Sequence, residues 1–324
     1  MKLPPELLAT LKERPDELAG FLVAADWLTS RGDPWGELIS AQCRLEGATD
    51  PGVYVTFQKQ AAALLRAHRK RWLGADVSAR WRRGFIERID LDDLASWPAV
   101  LASELGGLAR EYALRGTPRA LEQALAELIA AAPPRLEGLT LSGKGSLSAP
   151  LPLMRKLEVH RLALDWTLAP PPLHELFIAD APSPSLVPWL QHAPGSFERL
   201  ELLELDLPAA TLQPLVDRQQ GLRTLHLEDD LPDDVARWLA NSPVLATLDH
   251  LALGGPMTDD GLDAVLTHFA RFSRLQTLVL YGGRFGPTRR KWAYKQLAQI
   301  SFEPRRPAPD WTKGRSRGRT RTDA

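Results

Sequence analysis

Residues 222–228 read LRTLHLE, residues 248–254 read LDHLALG, and residues 275–281 read LQTLVLY. Each carries leucine at its first, fourth and sixth positions: Leu222/Leu225/Leu227, Leu248/Leu251/Leu253 and Leu275/Leu278/Leu280. Side chains alternate along a strand, so the last two leucines of each set share one face and the residues between them share the other. Working outward, the same spacing, with apolar substitutes, recurs at Ile86/Ile89/Leu91, Ala109/Tyr112/Leu114, Leu136/Leu139/Leu141 and Val159/Leu162/Leu164. It recurs again at Leu173/Leu176/Ile178 and Leu200/Leu203/Leu205. The final positions are spaced by 23, 27, 23, 14, 27, 22, 26 and 27 residues, and all but the 14 leave room for one strand and one helix. The short interval holds Pro170-Pro171-Pro172 and reads as a bare loop.

Between these sets the apolar period becomes helical. Leu121, Leu125, Leu128 and Ile129 follow Thr117-Pro118, a helix cap with proline in the first turn. Leu212, Leu215 and Val216 repeat the period, as do Val235, Trp238 and Leu239, then Leu262, Val265, Leu266 and Phe269. One strand and one helix cannot bury their apolar faces alone, but stacked neighbours bury them together. The pattern resembles the leucine-rich repeat family. That resemblance implies an α/β solenoid of about nine strand–helix units with a parallel sheet on its concave face. The asparagine that the family often places three residues after the last strand leucine is absent. Lys144, Asp230, Pro256 and Gly283 are among the residues found there, so the turns must satisfy their backbone groups in another way.

Upstream, Leu7, Leu8 and Leu11 follow Pro4-Pro5, and Leu18, Phe21, Leu22, Ala25 and Leu28 recur at helical spacing. Asp33-Pro34 then caps a helix over about 34–46 that carries Leu38, Ile39 and Cys43. Asp50-Pro51-Gly52 reads as a break before a longer helix from about Tyr54 to Trp72. Residues 25–46, ADWLTSRGDPWGELISAQCRLE, are similar to the repeat-companion domain, a small bacterial module found before leucine-rich repeats. The stretch from Leu64-Leu65 through Trp72-Leu73-Gly74 to Arg82-Arg83-Gly84-Phe85 resembles that family's bridge into its repeats. The expected domains are a helical capping domain at 1–75, repeats at 76–286, and a basic C-terminal segment at 287–324, disordered from about 304.

Candidate functional residues lie on the strand face opposite the leucines. The partner-binding set read from this register is Asp165, Glu175, Phe177, Leu202, Glu204, Asp206, His226, Glu228, His250 and Tyr281. Acidic residues around exposed aromatics fit a partner with a basic surface. His226, His250 and Glu228 are a weak zinc pattern, so no metal or other cofactor is expected. Cys43 lies on an apolar helical stripe and reads as core. No nucleophile-elbow, zinc-protease or phosphate-loop motif occurs, and no catalytic residue is assigned.

Charge sharpens the division. Residues 1–85 carry a net +3, residues 86–286 a net −11, and residues 287–324 a net +8. Arg315, Arg317, Arg319 and Arg321 crowd the tail, which could meet nucleic acid or the chain's own acidic face around Glu204, Asp206 and Glu228. A single cysteine excludes an internal disulfide, and no apolar run reaches membrane-spanning length or forms a secretory leader. The expected protein is a soluble, cytoplasmic, bacterial, non-enzymatic scaffold for an unidentified protein, with no membrane partner. The alternative is a nucleic-acid-associated protein that uses its arginine-rich tail.

Overall fold

The computed structural model describes residues 3–303 apart from 15–16, 165–170, 182–185, 187–196, 206–208, 229–232, 269–273, 284 and 297–299. The tail arginines, Asp165 and Asp206 lie outside the described residues. The chain divides into two compact units between Phe197 and Glu198.

The first unit opens with four helices: α1 (Pro5–Glu13), α2 (Leu18–Thr29), α3 (Pro34–Glu46) and α4 (Pro51–Leu73). Phe21, Ala24, Ala25, Leu28, Leu38, Ile39 and Cys43 form their buried core. Asp33 caps α3 by accepting from the Trp35 amide at 3.0 Å. Asp50 does the same for α4, accepting from Val53 at 2.9 Å. The Asp50-Pro51 pair is therefore a helix start, and α4 begins three residues before the expected Tyr54.

Strands follow: β1 (Ser78–Arg82), β2 (Phe85–Leu91), β3 (Glu111–Arg115), β4 (Gly138–Leu147), β5 (Lys156–Leu164) and β6 (Glu175–Ala179). β1 and β2 form an antiparallel hairpin. β2 to β6 then pair in parallel in chain order. Two buried rows cross them, Ile89–Tyr112–Leu139–Leu157–Leu176 and Leu91–Leu114–Leu141–Val159–Ile178. Helices α5 (Trp97–Ala102) and α6 (Pro118–Ala131) bridge β2 to β3 and β3 to β4. The β4–β5 link, residues 148–155, holds no helix. Pro150 and Pro152 remove helix donors there, so not every unit has the expected strand and helix.

In the second unit, β7 (Arg199–Leu203), β8 (Thr224–Glu228), β9 (His250–Gly254), β10 (Thr277–Tyr281) and β11 (Ile300–Glu303) pair in parallel in chain order. Helices α7 (Ala209–Asp217), α8 (Asp233–Asn241), α9 (Asp259–Thr267) and α10 (Pro287–Gln296) connect them. Leu200, Leu225, Leu251, Leu278 and Ile300 form one buried row. The α10–β11 pair is a further strand–helix unit inside the segment expected to be only a basic extension. Its sequence, LAQISF at 297–302, carries the same spacing with apolar substitutes at Leu297/Ile300/Phe302, a set that the leucine count passed over.

Two expected repeat sets shift register. Val159 occupies the last core row of β5, so that set is Met154/Leu157/Val159. Leu162 and Leu164 instead pair with Gly145 and Leu147 after a register shift in β4. Arg161, at φ 55°, turns the chain between the two alternations. In β7, Leu200 and Leu202 pair with Leu225 and Leu227, so the set is Phe197/Leu200/Leu202. Leu203 then lies on the opposite face. The β5 shift replaces the 23- and 14-residue intervals with 18 and 19, and the β7 shift replaces the 27- and 22-residue intervals with 24 and 25.

Backbone hydrogen bonds tie the units together at the strand entries. The Arg110 carbonyl accepts from two consecutive amides, Glu137 at 2.8 Å and Gly138 at 3.1 Å. Glu137 and Arg155 repeat the arrangement toward β5 and β6, and Glu198, Arg223 and Asp249 repeat it toward β8, β9 and β10. At the helix side, Asp233 accepts from the Thr258 amide at 2.9 Å and from its hydroxyl at 2.5 Å.

Candidate functional site: the strand faces

In the first unit the face opposite the leucines carries three rows. Arg88, Glu111, Gly138, Lys156 and Glu175 form the first, and Asp90, Ala113, Thr140, Glu158 and Phe177 the second. Arg115, Ser142, His160 and Ala179 form the third. The carboxylates of this face are met by cations on the same face. Arg88 lies 2.9 Å from Asp90, 3.7 Å from Glu111 and 3.6 Å from Glu158. Lys156 lies 2.9 Å from Glu158 and 3.5 Å from Glu111. Burial alone would raise the Glu158 carboxyl, but Lys156, Thr140 and Arg88 together hold it below its ordinary value. In the corrected register Lys156, Glu158 and His160 are the face residues of β5. Phe177 is half-buried, with its ring centroid 4.9 Å from that of His160. Glu175 is half-buried in the Lys156 row.

In the second unit the central row is Glu201, His226, Ala252, Val279 and Ser301. Leu203, Glu228, Gly254, Tyr281 and Glu303 lie on one side of it, and Arg199, Thr224, His250 and Thr277 on the other. His226 sits between two carboxylates. Its Nδ1 is 3.4 Å from Glu201 Oε2, and its Nε2 is 3.6 Å from Glu228 Oε2, an ion-pair distance rather than a hydrogen bond. Burial disfavours the imidazolium, but Glu201 and Glu228 outweigh that effect and raise its pKa. Arg199 pairs with Glu201 from the other side. Burial would raise the Glu201 carboxyl, but His226 and Arg199 hold it low. Tyr281 stacks on His226, with ring centroids 5.4 Å apart. Gly254 stands between Glu228 and Tyr281 in their row, and a Cβ there would lie 2.5 Å from Glu228 Cγ. A missing side chain thus makes room for the His226 cluster.

The expected site residues divide accordingly. His226, Glu228 and Tyr281 come together, but Glu228 and Tyr281 are each only 5% exposed rather than open on the face as expected, and His250 is exposed one row away. Leu202 is a core residue at 3% exposure, and the face position beside it belongs to Glu201. Glu204 follows β7 at φ 53°, and its amide donates to the Glu228 carbonyl at 2.5 Å. Arg199, Glu201, Lys156 and Glu158 were missed, because a slip of one residue exchanges the two faces of a strand. Only pairing with the neighbouring strands gives these registers.

Cys43 is 2% exposed, and burial, with Glu46 nearby and Arg83 opposing, pushes its thiol up to about 11. Such a thiol stays protonated at neutral pH. Among the described residues no group of three or more His, Cys, Asp or Glu is placed to hold a metal ion. No described helix is long and apolar enough to cross a membrane.

These features define a mostly parallel strand–helix repeat fold with a helical N-terminal region. No family model and no curated protein matches the chain. Among solved structures it is similar to the crystal structure of a Bacteroides fragilis protein from the Northeast Structural Genomics Consortium, at 17% identity and a TM-score of 0.54. The match covers 78% of this chain and 83% of that one. At that identity the likeness supports the fold alone.

Proposed function

We propose that the chain is a leucine-rich-repeat protein with a repeat-companion helical domain, and that it is a non-enzymatic scaffold which binds another protein on its strand face. The observation that carries this reading is the face of β7–β10. Ala252 and Val279, both half-buried, adjoin the stacked His226 and Tyr281, while Arg199, Thr224, His250 and Thr277 border them. A small apolar and aromatic centre with a polar rim is the usual anatomy of a protein interface. The same face supports a less basic partner than the sequence suggests. Glu201 is already met by Arg199 and His226, so a partner need not be strongly basic. It should offer one aliphatic or aromatic side chain for Val279.

The test is Val279→Arg in the full chain. A protein retained from native cell extract by the unaltered chain should be lost, with unfolding temperature unchanged. Equal retention by the variant would remove this face from the proposal.

A further inference from the structure

We infer that the first unit holds a binding site for a small oxyanion, such as inorganic phosphate, in the cleft between the β1–β2 turn and the segment that leads into β4, with Arg135 as its buried cation. Four guanidiniums line this cleft: Arg82, Arg83, Arg110 and Arg135. Three have carboxylate partners. Arg82 and Arg83 lie 2.9 Å and 2.8 Å from Glu46, Arg82 also lies 3.7 Å from Glu87, and Arg110 lies 2.5 Å from Glu137.

Arg135 differs. It is 6% exposed, and its guanidinium carbon lies 4.7 Å from the centroid of the Phe85 ring. Its Nη1 is sealed from solvent and has no hydrogen-bond partner among the described residues. Burial, with Arg110 adding to it, lowers its pKa to about 10 against the pull of Glu137 and Glu87, so it remains charged at neutral pH. Four cations thus face three carboxylates, Glu46, Glu87 and Glu137. An uncompensated charge buried in this way is costly, and a bound anion would offset that cost.

Size and donor placement select the anion. The centre of a water-sized particle has about 10 Å³ to move in within the cleft, room for one such particle. One oxygen of an oxyanion fits there, and its remaining oxygens stay at the mouth. There Arg82 and Arg110, with side chains 44% and 25% exposed, can donate. Chloride could fill the inner position but offers no further acceptors for the rim.

Phosphate titration of the full chain, followed by calorimetry and thermal unfolding, tests the site. Sodium chloride at matched ionic strength is the comparison. Phosphate should bind saturably and raise the unfolding temperature beyond chloride, as a ligand of the folded state does. Arg135→Leu should abolish binding. Arg110→Gln, which keeps Arg135, should weaken it at least about tenfold, the cost of one charge-assisted hydrogen bond. Arg155→Gln, outside the cleft, should leave it unchanged. If Arg135→Leu does not fold, Arg110→Gln decides. A phosphate effect no larger than chloride's, or one that survives in the arginine variants, would overturn the site and leave a water as the partner of Arg135.

Discussion

At the scale of residues, His226 links the strand face to stability. Its raised pKa means that the folded chain holds the proton more tightly than the unfolded chain. The resulting stability is fully present below the ordinary value of 6.5 and is lost as pH rises through the higher folded value. His160 works in the opposite sense, because burial first, with Arg88, Arg161 and Arg115 adding to it, lowers its pKa against Glu158. Its effect is confined below 6.5, where the unfolded chain takes up the proton first. The unfolding temperature should therefore fall as pH rises above 6.5, and less so in His226→Gln; parallel curves for the two proteins would refute the assignment. The core makes a plainer case. Leu225 is fully buried, so Leu225→Ala should cost about 2–5 kcal/mol in denaturant unfolding, whereas the neighbouring face residue Thr224 should tolerate alanine with little loss. The placement of Leu225 and His226 on opposite faces was legible because leucine spacing in β8–β10 admits a single register. In β5 and β7 it admits two. The runs LEVHRLAL and LELLEL carry apolar residues on both alternations, and only pairing with neighbouring strands chooses between them. Arg135 was silent in the sequence, since nothing local marks an arginine that tertiary packing will bury.

At the scale of elements, the β1–β2 turn fastens the hairpin to α3. Gly84 has φ 76°, its carbonyl accepts from Trp35 Nε1 at 2.8 Å, and its amide donates to Gln42 at 2.6 Å. A Cβ at Gly84 would lie 2.3 Å from Ile39 Cγ1 and 2.9 Å from Ile39 Cα, so both backbone conformation and space require glycine. Gly84→Ala should cost more than about 2 kcal/mol, from strain plus displaced packing, and should loosen the hairpin from α3 in hydrogen exchange. A variant as stable as the parent would mean that the turn does not fasten these elements. Helix starts were legible wherever a capping residue preceded proline, as at Asp33-Pro34 and Thr117-Pro118. Asp50-Pro51 has the same chemistry, and Gly52 disguised it as a break. The β4–β5 link shows the opposite limit: the 23-residue interval counted from sequence has room for a helix, but the register in β5 shortens it to 18 and prolines occupy the link.

At the scale of the whole molecule, the N-terminal helices lie against the hairpin of the first unit. Phe85 packs edge-on to Phe21 and Trp35, with ring centroids 5.5 Å and 5.1 Å apart, and Trp72 meets Trp81 at 5.9 Å. Removing residues 1–75 would strip this cover from buried Phe85 and Ile86, so the shortened chain should aggregate or unfold at lower temperature than the full chain. A monomer of unchanged stability would exclude a capping role. Charge poses the rival reading of function. The net +8 of residues 287–324 supports nucleic-acid association through the tail, which predicts retention on RNA that weakens with salt and disappears when residues 304–324 are removed. The strand-face proposal predicts the reverse, that partner binding survives this deletion. Site-specific photo-crosslinking in the native cell tests it most directly, with the reactive group at Thr277 on the face of β10 or at Asp263 on α9. A discrete adduct from Thr277, retained without the tail and absent from Asp263, is the predicted result. Equal adducts from both positions, or none from Thr277 while Asp263 crosslinks, would contradict a partner site on the strand face.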